Sequence, residues 1–348
     1  MDLFKNILSY FEKYIYKEKN TKETIEINNN NIKDTIETKD TKDIIDINNK
    51  NIKNTNTIKN TKEIKEINTN TNEIKNTKET TETTKTETTE IIYGTIGYSI
   101  FKNDNNKVIV FADMHDTLKK CSKYVTIGNW LKKKSKDSII LLEEVDREEI
   151  KLVSLWPESP HTEELKNLYL DNKDVIIPVD IRPHLIPFSW EMLLNFSHEN
   201  KSDTNMLFKD WLGQLILFYN FKNNYINSKL GIINDKEIME HFALIKITFD
   251  NFLKKNAKLL ENTVGFIAMS NPNFLDTINS ILSDTMEWYT CALMKKNNNR
   301  LVIIHAGLAH TSKICNLLEK IYKYKNIKNH GFVEYSETET PESGCVEF

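Results

Sequence analysis

Four apolar segments of the chain end directly in ionisable residues. They are "KVIVFAD" (107–113), "SIILLEE" (138–144), "VIIPVD" (175–180) and "RLVIIHAG" (300–307). Short runs rich in β-branched residues predict strands that are buried in a sheet. The segment "TIGYSIF" (95–101) precedes the first of them across the turn-forming "KNDNN", which predicts a hairpin.

Helical patterns separate these strands. They cover residues 117–134 and 162–170, and a last one, 310–324, closes the domain. Between the third and fourth strands, at about 188–298, the pattern is helical throughout and predicts a large helical insertion or lid. Strands that alternate with helices predict an α/β fold, with a mostly parallel sheet flanked by helices.

The N-terminal quarter of the chain has a different composition. Residues 1–19 carry apolar side chains at helical spacing and predict a short amphipathic helix that docks on the core or on a protein partner. Residues 20–90 are almost entirely Thr, Lys, Glu, Ile, Asn and Asp, which predicts a low-complexity disordered tether. The α/β domain is then expected at 91–333, followed by a flexible tail at 334–348.

Composition and charge exclude several classes of protein. The formal net charge of −3 argues against a nucleic-acid-binding protein, and no apolar run approaches the ~20 residues of a transmembrane helix. The N-terminus has no secretory signal pattern, and the four cysteines are scattered without a CxxC pair. We therefore expect an intracellular, cytoplasmic protein without a zinc framework or a disulfide scaffold. The abundance of Asn, Ile and Lys favours an AT-rich gene, as in many protists and large DNA viruses.

The strand ends bring together the residues that carry chemistry. Because the carboxyl ends of parallel strands share one edge of a sheet, side chains that follow them are expected to meet there. The set is Asp113, His115, Asp116, Glu143, Glu144, Asp146, Arg147, Asp180, Arg182, His184, His305 and His310. A polar residue that follows a strand is often only a solvated side chain. Here, however, acids, histidines and arginines recur after all four strands, which predicts a site.

Individual roles follow from side-chain chemistry. His115 is the expected general base or metal ligand, with Asp113 orienting its ring. As a base it would lose its proton near pH 6, so activity should fall below that pH. Adjacent residues of a strand point to opposite faces, so one of Glu143 and Glu144 faces the site, and Glu144 is the first choice.

The remaining site residues lie after the third and fourth strands. Arg182 is expected to stabilise negative charge while Asp180 orients it, although a buried salt bridge explains Arg182 nearly as well. Gly307 would allow a tight turn or a close approach of the backbone to a ligand. His310 would complete the site, and one divalent transition metal bound by His115, Glu144 and His310 is the expected cofactor.

These motifs resemble the superfamily that joins TraB, Tiki and erythromycin-esterase-like proteins with the haem-binding ChaN proteins. The family's Gly-x-x-His motif is matched by Ala112–His115 and again by Gly307–His310. Its Glu-x-Asp-x-x-Arg element is matched by "EEVDREE" (143–149), and its Asp and Arg by Asp180 and Arg182 in "VDIRP". The resemblance covers about 93–324, and the helical region between the third and fourth motifs suits the family's layout.

The resemblance implies a hydrolase site but does not choose the bond. Tiki relatives cleave peptides with a metal, and erythromycin-esterase relatives cleave esters, so the substrate is expected to be a small molecule or a peptide. Two departures weaken the match, because Ala112 replaces the first glycine and Arg147 stands one residue earlier than in the TraB spacing.

Two alternatives remain from the sequence. The elements "ADMHD", "LEEVDRE" and "HAGL" also resemble a two-metal metallophosphoesterase, but Glu143 and Glu144 stand where that class needs Gly-Asp, and its Gly-Asn-His element is absent. The other alternative is a catalytically inactive scaffold tethered by its N-terminal segment.

Overall fold

The computed structural model of the chain describes residues 89–348, except 105, 116–117, 147–162, 190–204, 271–273, 337–338 and 340. The predicted N-terminal helix at 1–19 and nearly all of the predicted tether at 20–90 lie outside these residues. So does the start of the predicted helical insertion, at 190–204.

The described fold is α/β, built on a mixed sheet of six strands. Its strands are β2 (Gly97–Lys102), β3 (Lys107–Asp113), β5 (Ser138–Leu142), β6 (Ile176–Pro178), β7 (Leu301–Gly307) and β8 (Lys325–Gly331). Their order across the sheet is β6-β5-β7-β3-β2-β8. The strands β6, β5, β7 and β3 pair in parallel, whereas β2 pairs antiparallel with both β3 and β8. The four apolar segments that end in ionisable residues are therefore neighbouring strands, and their carboxyl ends lie at one edge of the sheet.

The sheet is flanked by helices. They are α1 (Ile127–Lys134), α2 (Glu163–Asp171), α3 (Phe208–Trp211), α4 (Gly213–Tyr219), α5 (Asn224–Leu230), α6 (Lys236–Lys255), α7 (Val264–Ser270), α8 (Phe274–Lys296) and α9 (Leu308–Lys320). Short 3₁₀ turns occupy Arg182–His184 and Ala257–Leu259. Helix α6 begins where the Asp235 side chain accepts the Ile238 N–H, a bond that satisfies one of the helix's unpaired amides.

One face of the sheet packs against α1 and α2. Alternate residues of the central strands, such as Phe111 and Leu142, join Trp130 of α1 and Leu165 of α2 in one buried cluster. Helix α9 contacts β3 and β7, and α8 contacts β5. This packing places the strand ends beside α8 and α9, which both contribute to the site below.

A second, small sheet corrects the prediction for the C-terminal tail. Strand β9 (Cys345–Glu347) pairs antiparallel with β1 (Ile91–Tyr93), which in turn pairs in parallel with β4 (Val125–Thr126). The Phe348 ring packs against Tyr98, Phe111 and Trp130. The segment predicted as a flexible tail from Glu334 onward therefore ends in paired and packed residues, because it completes the core around Trp130.

The scattered cysteines, which predicted no disulfide scaffold, include one bonded pair. Cys121 and Cys345 form a disulfide across 224 residues of sequence, while Cys291 and Cys315 are free thiols. The pairing cannot be seen from spacing, because the two cysteines meet only once β9 has joined β1.

Two helix predictions were too long. Residues 117–134 form a helix only from Ile127, and the earlier residues are extended or irregular where described. The last helix ends at Lys320 rather than at residue 324, and the chain then forms the edge strand β8. Its sequence, "KNIKNHG", is polar because most of its side chains are exposed, so it lacks the apolar signal of a buried strand.

Candidate functional site

Strand register sets the position of the site. Asp113 at the end of β3 lies opposite Gly307 at the end of β7, and Leu142 of β5 lies opposite His305 of the same strand. The Glu143 N–H then donates to the His305 carbonyl at 3.0 Å. Asp113, Glu143 and Gly307 therefore lie at one edge of the sheet.

Glu143 is the centre of the cluster. Its side chain is 5% exposed, and its Oε2 accepts the Gly307 N–H at 2.7 Å and lies 3.4 Å from His115 Nε2. Its Oε1 lies 3.4 Å from an amino group of Arg182 and 3.5 Å from His310 Nε2. One buried carboxylate therefore contacts two imidazoles, a guanidinium and a backbone amide.

His115 is held in an unusual position. Its backbone φ is 55°, in the left-handed region that side chains other than glycine seldom adopt. Its Nδ1 lies 3.1 Å from Asp113 Oδ2. A Cβ placed on Gly307 would lie 2.6 Å from His115 Nε2, so the imidazole occupies space that only a glycine leaves open. The glycine is needed for this close approach of the imidazole, whereas the sequence led us to expect a tight turn or a close approach to a ligand.

Arg182 is fixed by a fork of hydrogen bonds. Its Nε donates to Asp180 Oδ1 at 2.8 Å and an amino group donates to Asp180 Oδ2 at 2.9 Å. The Arg182 N–H also lies 3.2 Å from Asp180 Oδ1. Bidentate pairing of this kind orients the planar guanidinium, and the same amino group extends toward Glu143.

The sequence did not reveal the partner of His310. His310 Nδ1 lies 3.0 Å from Oε1 of Glu287, a residue of α8 that is 2% exposed. Lys313, one turn after His310 in α9, places its Nζ 3.5 Å from the same Oε1. Glu287 stands in "DTMEWYTCALM", which has the pattern of a core helix, and an acid among the apolar residues of such a helix was the only available signal.

Burial and charge oppose each other at this cluster. Burial would lower the pKa of His115, but its bonds to Asp113 and Glu143 outweigh that effect and raise the pKa to about 9. Burial would raise the pKa of Glu143, yet the neighbouring imidazoles and Arg182 hold it well below its usual range. Burial raises the pKa of Glu287 despite its bond to His310. Two carboxylates therefore stabilise the protonated form of His115, which opposes the titration near pH 6 expected from the sequence.

Glu144, the first choice from the sequence, occupies a different environment. Its side chain is buried, and its Oε1 accepts the Val145 N–H at 3.1 Å. Glu143, its neighbour in sequence, makes the contacts to His115, Arg182 and His310 described above. The chain bends just after β5, where the Glu144 N–H donates to the Leu142 carbonyl at 2.7 Å, and the two carboxylates have different partners.

Other members of the predicted set lie apart from Glu143. His305 is fully buried in β7, with Nε2 3.4 Å from the Gly94 carbonyl, so it is a core histidine. Asp146 binds Tyr169, Tyr225 and Lys229, and His184 stacks on the Tyr225 ring with centroids 3.7 Å apart. Asp116 and Arg147 lie outside the described residues.

Two further observations concern the described part of the chain. No group of three or more His, Cys, Asp or Glu side chains there is already arranged to hold a metal ion. None of its helices is long and apolar enough to cross a membrane. In comparisons with known proteins, no family model matches the chain, and no curated protein or solved structure matches it.

Proposed function

We propose that this chain is a hydrolase of the TraB/Tiki/erythromycin-esterase-like type that cleaves a peptide or ester bond beside Glu143. The observation that carries the proposal is the convergence of His115, Arg182 and His310 on this one buried carboxylate. The four strand ends supply these residues in the order of the family's motifs. In this interpretation the helices between β6 and β7 are the family's helical insertion, and β3, β5, β6 and β7 are its parallel core.

Arg182 has the geometry for stabilising negative charge. Hydrolysis of an ester or amide places negative charge on the carbonyl oxygen, and fixed donors stabilise it without reorganising. Asp180 holds the guanidinium through two hydrogen bonds, so its orientation is set before a substrate arrives. We assign Arg182 this role and Asp180 the role of a positioning residue.

The two imidazoles have the outer partners that metal-binding histidines have. Such a histidine usually bonds its second ring nitrogen to a carboxylate, which fixes the ring and its tautomer. Here Asp113 bonds Nδ1 of His115 and Glu287 bonds Nδ1 of His310, so both Nε2 atoms face Glu143. We propose His115, His310 and Glu143 as ligands of one divalent transition metal, with Glu143 in place of the Glu144 expected from the sequence. A metal bound there would polarise the scissile carbonyl and activate water.

Metal content and hydrolysis test the two parts of the proposal separately. The full chain, purified without chelators, is compared with its His115→Ala and His310→Ala variants by metal analysis and on mixed peptide and ester libraries. His330→Ala is the matched control, since His330 is exposed on β8 outside the cluster. We expect about one metal ion per chain and measurable hydrolysis, both lost in the two site variants and kept in the control.

Other outcomes contradict defined parts of the proposal. Hydrolysis without metal that both site variants lose would refute the metal and retain the hydrolase. Two metal ions per chain with phosphate-ester cleavage would replace the proposal by a phosphoesterase. Hydrolysis that neither substitution lowers would refute the site itself.

A further inference from the structure

A cavity lies beside the Glu143 cluster, between β6, α2, α5 and α8. Its volume is about 310 Å³, the size of a pocket for one small chemical group. Asp146, Tyr169, Tyr225 and Lys229 line it together with Pro178 at the end of β6. None of these residues contributes to the Glu143 contacts described above.

The chain limits the distance between the cavity and the cluster. Asp146 follows Glu143 by three residues and Pro178 precedes Asp180 by two. A chain extends at most ~3.6 Å per residue, so these pairs of Cα atoms are no more than about 11 Å and about 7 Å apart. A bound peptide, which advances ~3.4 Å per residue, would cover that distance in two or three residues.

The polar groups of the cavity are fixed around Asp146. Its side chain is 7% exposed, accepts hydrogen bonds from the hydroxyls of Tyr169 and Tyr225 at 3.2 and 3.0 Å, and lies 3.3 Å from Lys229 Nζ. Burial, together with the charge of Asp146, raises the pKa of Tyr225, so this hydroxyl keeps its proton. The negative charge of Asp146 is therefore compensated within the wall of the cavity.

The cavity lining carries more positive than negative charge. Three lysines, at 173, 229 and 296, face two aspartates, at 146 and 174. Lys296 Nζ donates to the backbone carbonyl of Lys229 at 2.6 Å. Because this acceptor is neutral, the bond does not compensate the positive charge of Lys296. Burial lowers the pKa of the neighbouring His184 to about 4, so this histidine adds no positive charge at neutral pH.

We propose that the cavity is a subsite for a negatively charged group of the substrate, a carboxylate or a phosphate, located two or three residues from the bond cleaved beside Glu143. Lys296 is its specificity-determining residue, and the tyrosine side chains form its walls. The position of the subsite rests on the proposed function, whereas its preference for an anion rests on the cavity alone.

Binding of small probes tests the subsite without requiring turnover. Ligand-observed NMR would measure the affinity of the C-terminal amides of N-acetyl-glutamate, N-acetyl-O-phosphoserine and N-acetyl-glutamine. Because the amide removes the α-carboxylate, the last probe is the neutral isostere of the first. The full chain is compared with Lys296→Met, with the exposed Lys328→Met as the matched control, and with Glu143→Gln. We expect at least tenfold tighter binding of an acidic probe than of the neutral one, lost in Lys296→Met and kept in the other two variants.

The outcomes separate this inference from the proposed function. Equal binding of acidic and neutral probes, or an acid preference that survives Lys296→Met, would overturn the subsite even if the chain hydrolyses peptides or esters. An acid preference that depends on Lys296 in a chain without hydrolytic activity would uphold the anion site and refute the hydrolase. The tighter of the two acidic probes identifies whether the group is a carboxylate or a phosphate.

Discussion

Two buried carboxylates three residues apart, Glu143 and Asp146, have partners of different kinds. Glu143 contacts two imidazoles, a guanidinium and a backbone amide. Asp146 contacts two phenols and a lysine. Imidazoles exchange protons and bind metals near neutral pH, whereas phenols and ammonium groups keep their protons there. On this difference rest our proposals of a reactive site around Glu143 and of a binding wall around Asp146.

The first prediction concerns the contact between His115 and Glu143 and has the largest expected effect. In Gly307→Ala the new methyl group would lie 2.6 Å from His115 Nε2, so the imidazole must move away from Glu143. Misplacing a catalytic group by about 1 Å costs on the order of a hundredfold in rate, and we expect a loss of that size in kcat/KM. Steady-state kinetics on the best library substrate would measure it.

Gly231→Ala is the control for this prediction. Gly231 has φ 68° and nothing lies within 4 Å of its hypothetical Cβ, so the change strains the backbone without touching a neighbour. It should lower stability and leave kcat/KM near wild type. A Gly307→Ala variant as active as wild type would contradict the steric argument.

The second prediction concerns the disulfide between Cys121 and Cys345, which we relate to the position of His115 beside Glu143. Cys121 lies six residues after His115, which follows β3, and the disulfide joins it to Cys345 in β9. Loss of a disulfide that closes a long loop typically costs about 2–4 kcal/mol. We expect Cys345→Ser to lower the free energy of unfolding by this amount in urea titrations and to lower turnover, while the C-terminal amide of N-acetyl-glutamate still binds. Cys315→Ser, which removes a thiol outside the disulfide, is the control. An unchanged unfolding midpoint for Cys345→Ser in oxidising buffer would contradict the stabilising role of the disulfide.

The third prediction concerns the contacts that Asp146 makes with two tyrosines and a lysine. In Asp146→Asn the two tyrosine hydroxyls and Lys229 lose the charge that they contact. Weakened bonds to a buried charged acceptor cost about 1–3 kcal/mol, which urea unfolding would measure. Metal content should stay at the wild-type level because none of the proposed ligands has changed. Loss of metal in Asp146→Asn would show that the two carboxylates do not act separately.

The smallest predicted effect is a pH dependence of stability. Burial lowers the folded-state pKa of His184 to about 4, against the opposing charges of Asp146 and Asp180 and with the help of Lys229. The unfolded chain binds a proton near pH 6.5 and the folded chain does not, so stability falls as pH drops from about 6.5 to about 4. Because His184 is half-buried, we expect only about 1 kcal/mol from it at pH 5.

A variant isolates His184 from other groups. His241 also has a pKa lowered to about 4 by burial and contributes with the same sign. The His184→Gln variant should therefore lose less stability between pH 7 and pH 5 than wild type does, in urea titrations at both values. Identical losses in the two proteins would contradict the assignment.

The sequence predicted the strands of the site better than their surroundings. The segments at 107–113 and 300–307 match β3 and β7 almost to the residue, because apolar runs between turns have few other structures. The edge strand β8 was missed because its residues are mostly polar, and β9 because it is only three residues long. Both strands also depend on partners far along the chain. The disulfide was missed for the same reason.

Within the site, residue type was easier to predict than orientation. Five residues predicted for the site lie in the cluster: Asp113, His115, Asp180, Arg182 and His310. To choose correctly between Glu143 and Glu144, one needs the register of β5 against β7. Glu287 reaches His310 from a helix 23 residues earlier in the chain. No local pattern reveals such a contact, because it depends on how α8 and α9 pack.

Turnover of Glu143→Gln and of Glu144→Gln, on the same substrate and with folding checked by circular dichroism, would show whether Glu143 is the centre of the reactive site. Both changes remove one buried carboxylate charge, and the two residues are neighbours in sequence, so general effects on the strand end are matched. The account predicts a loss of about a hundredfold or more for Glu143→Gln and a much smaller loss for a folded Glu144→Gln. Undiminished turnover in Glu143→Gln, or a loss confined to Glu144→Gln, would contradict it.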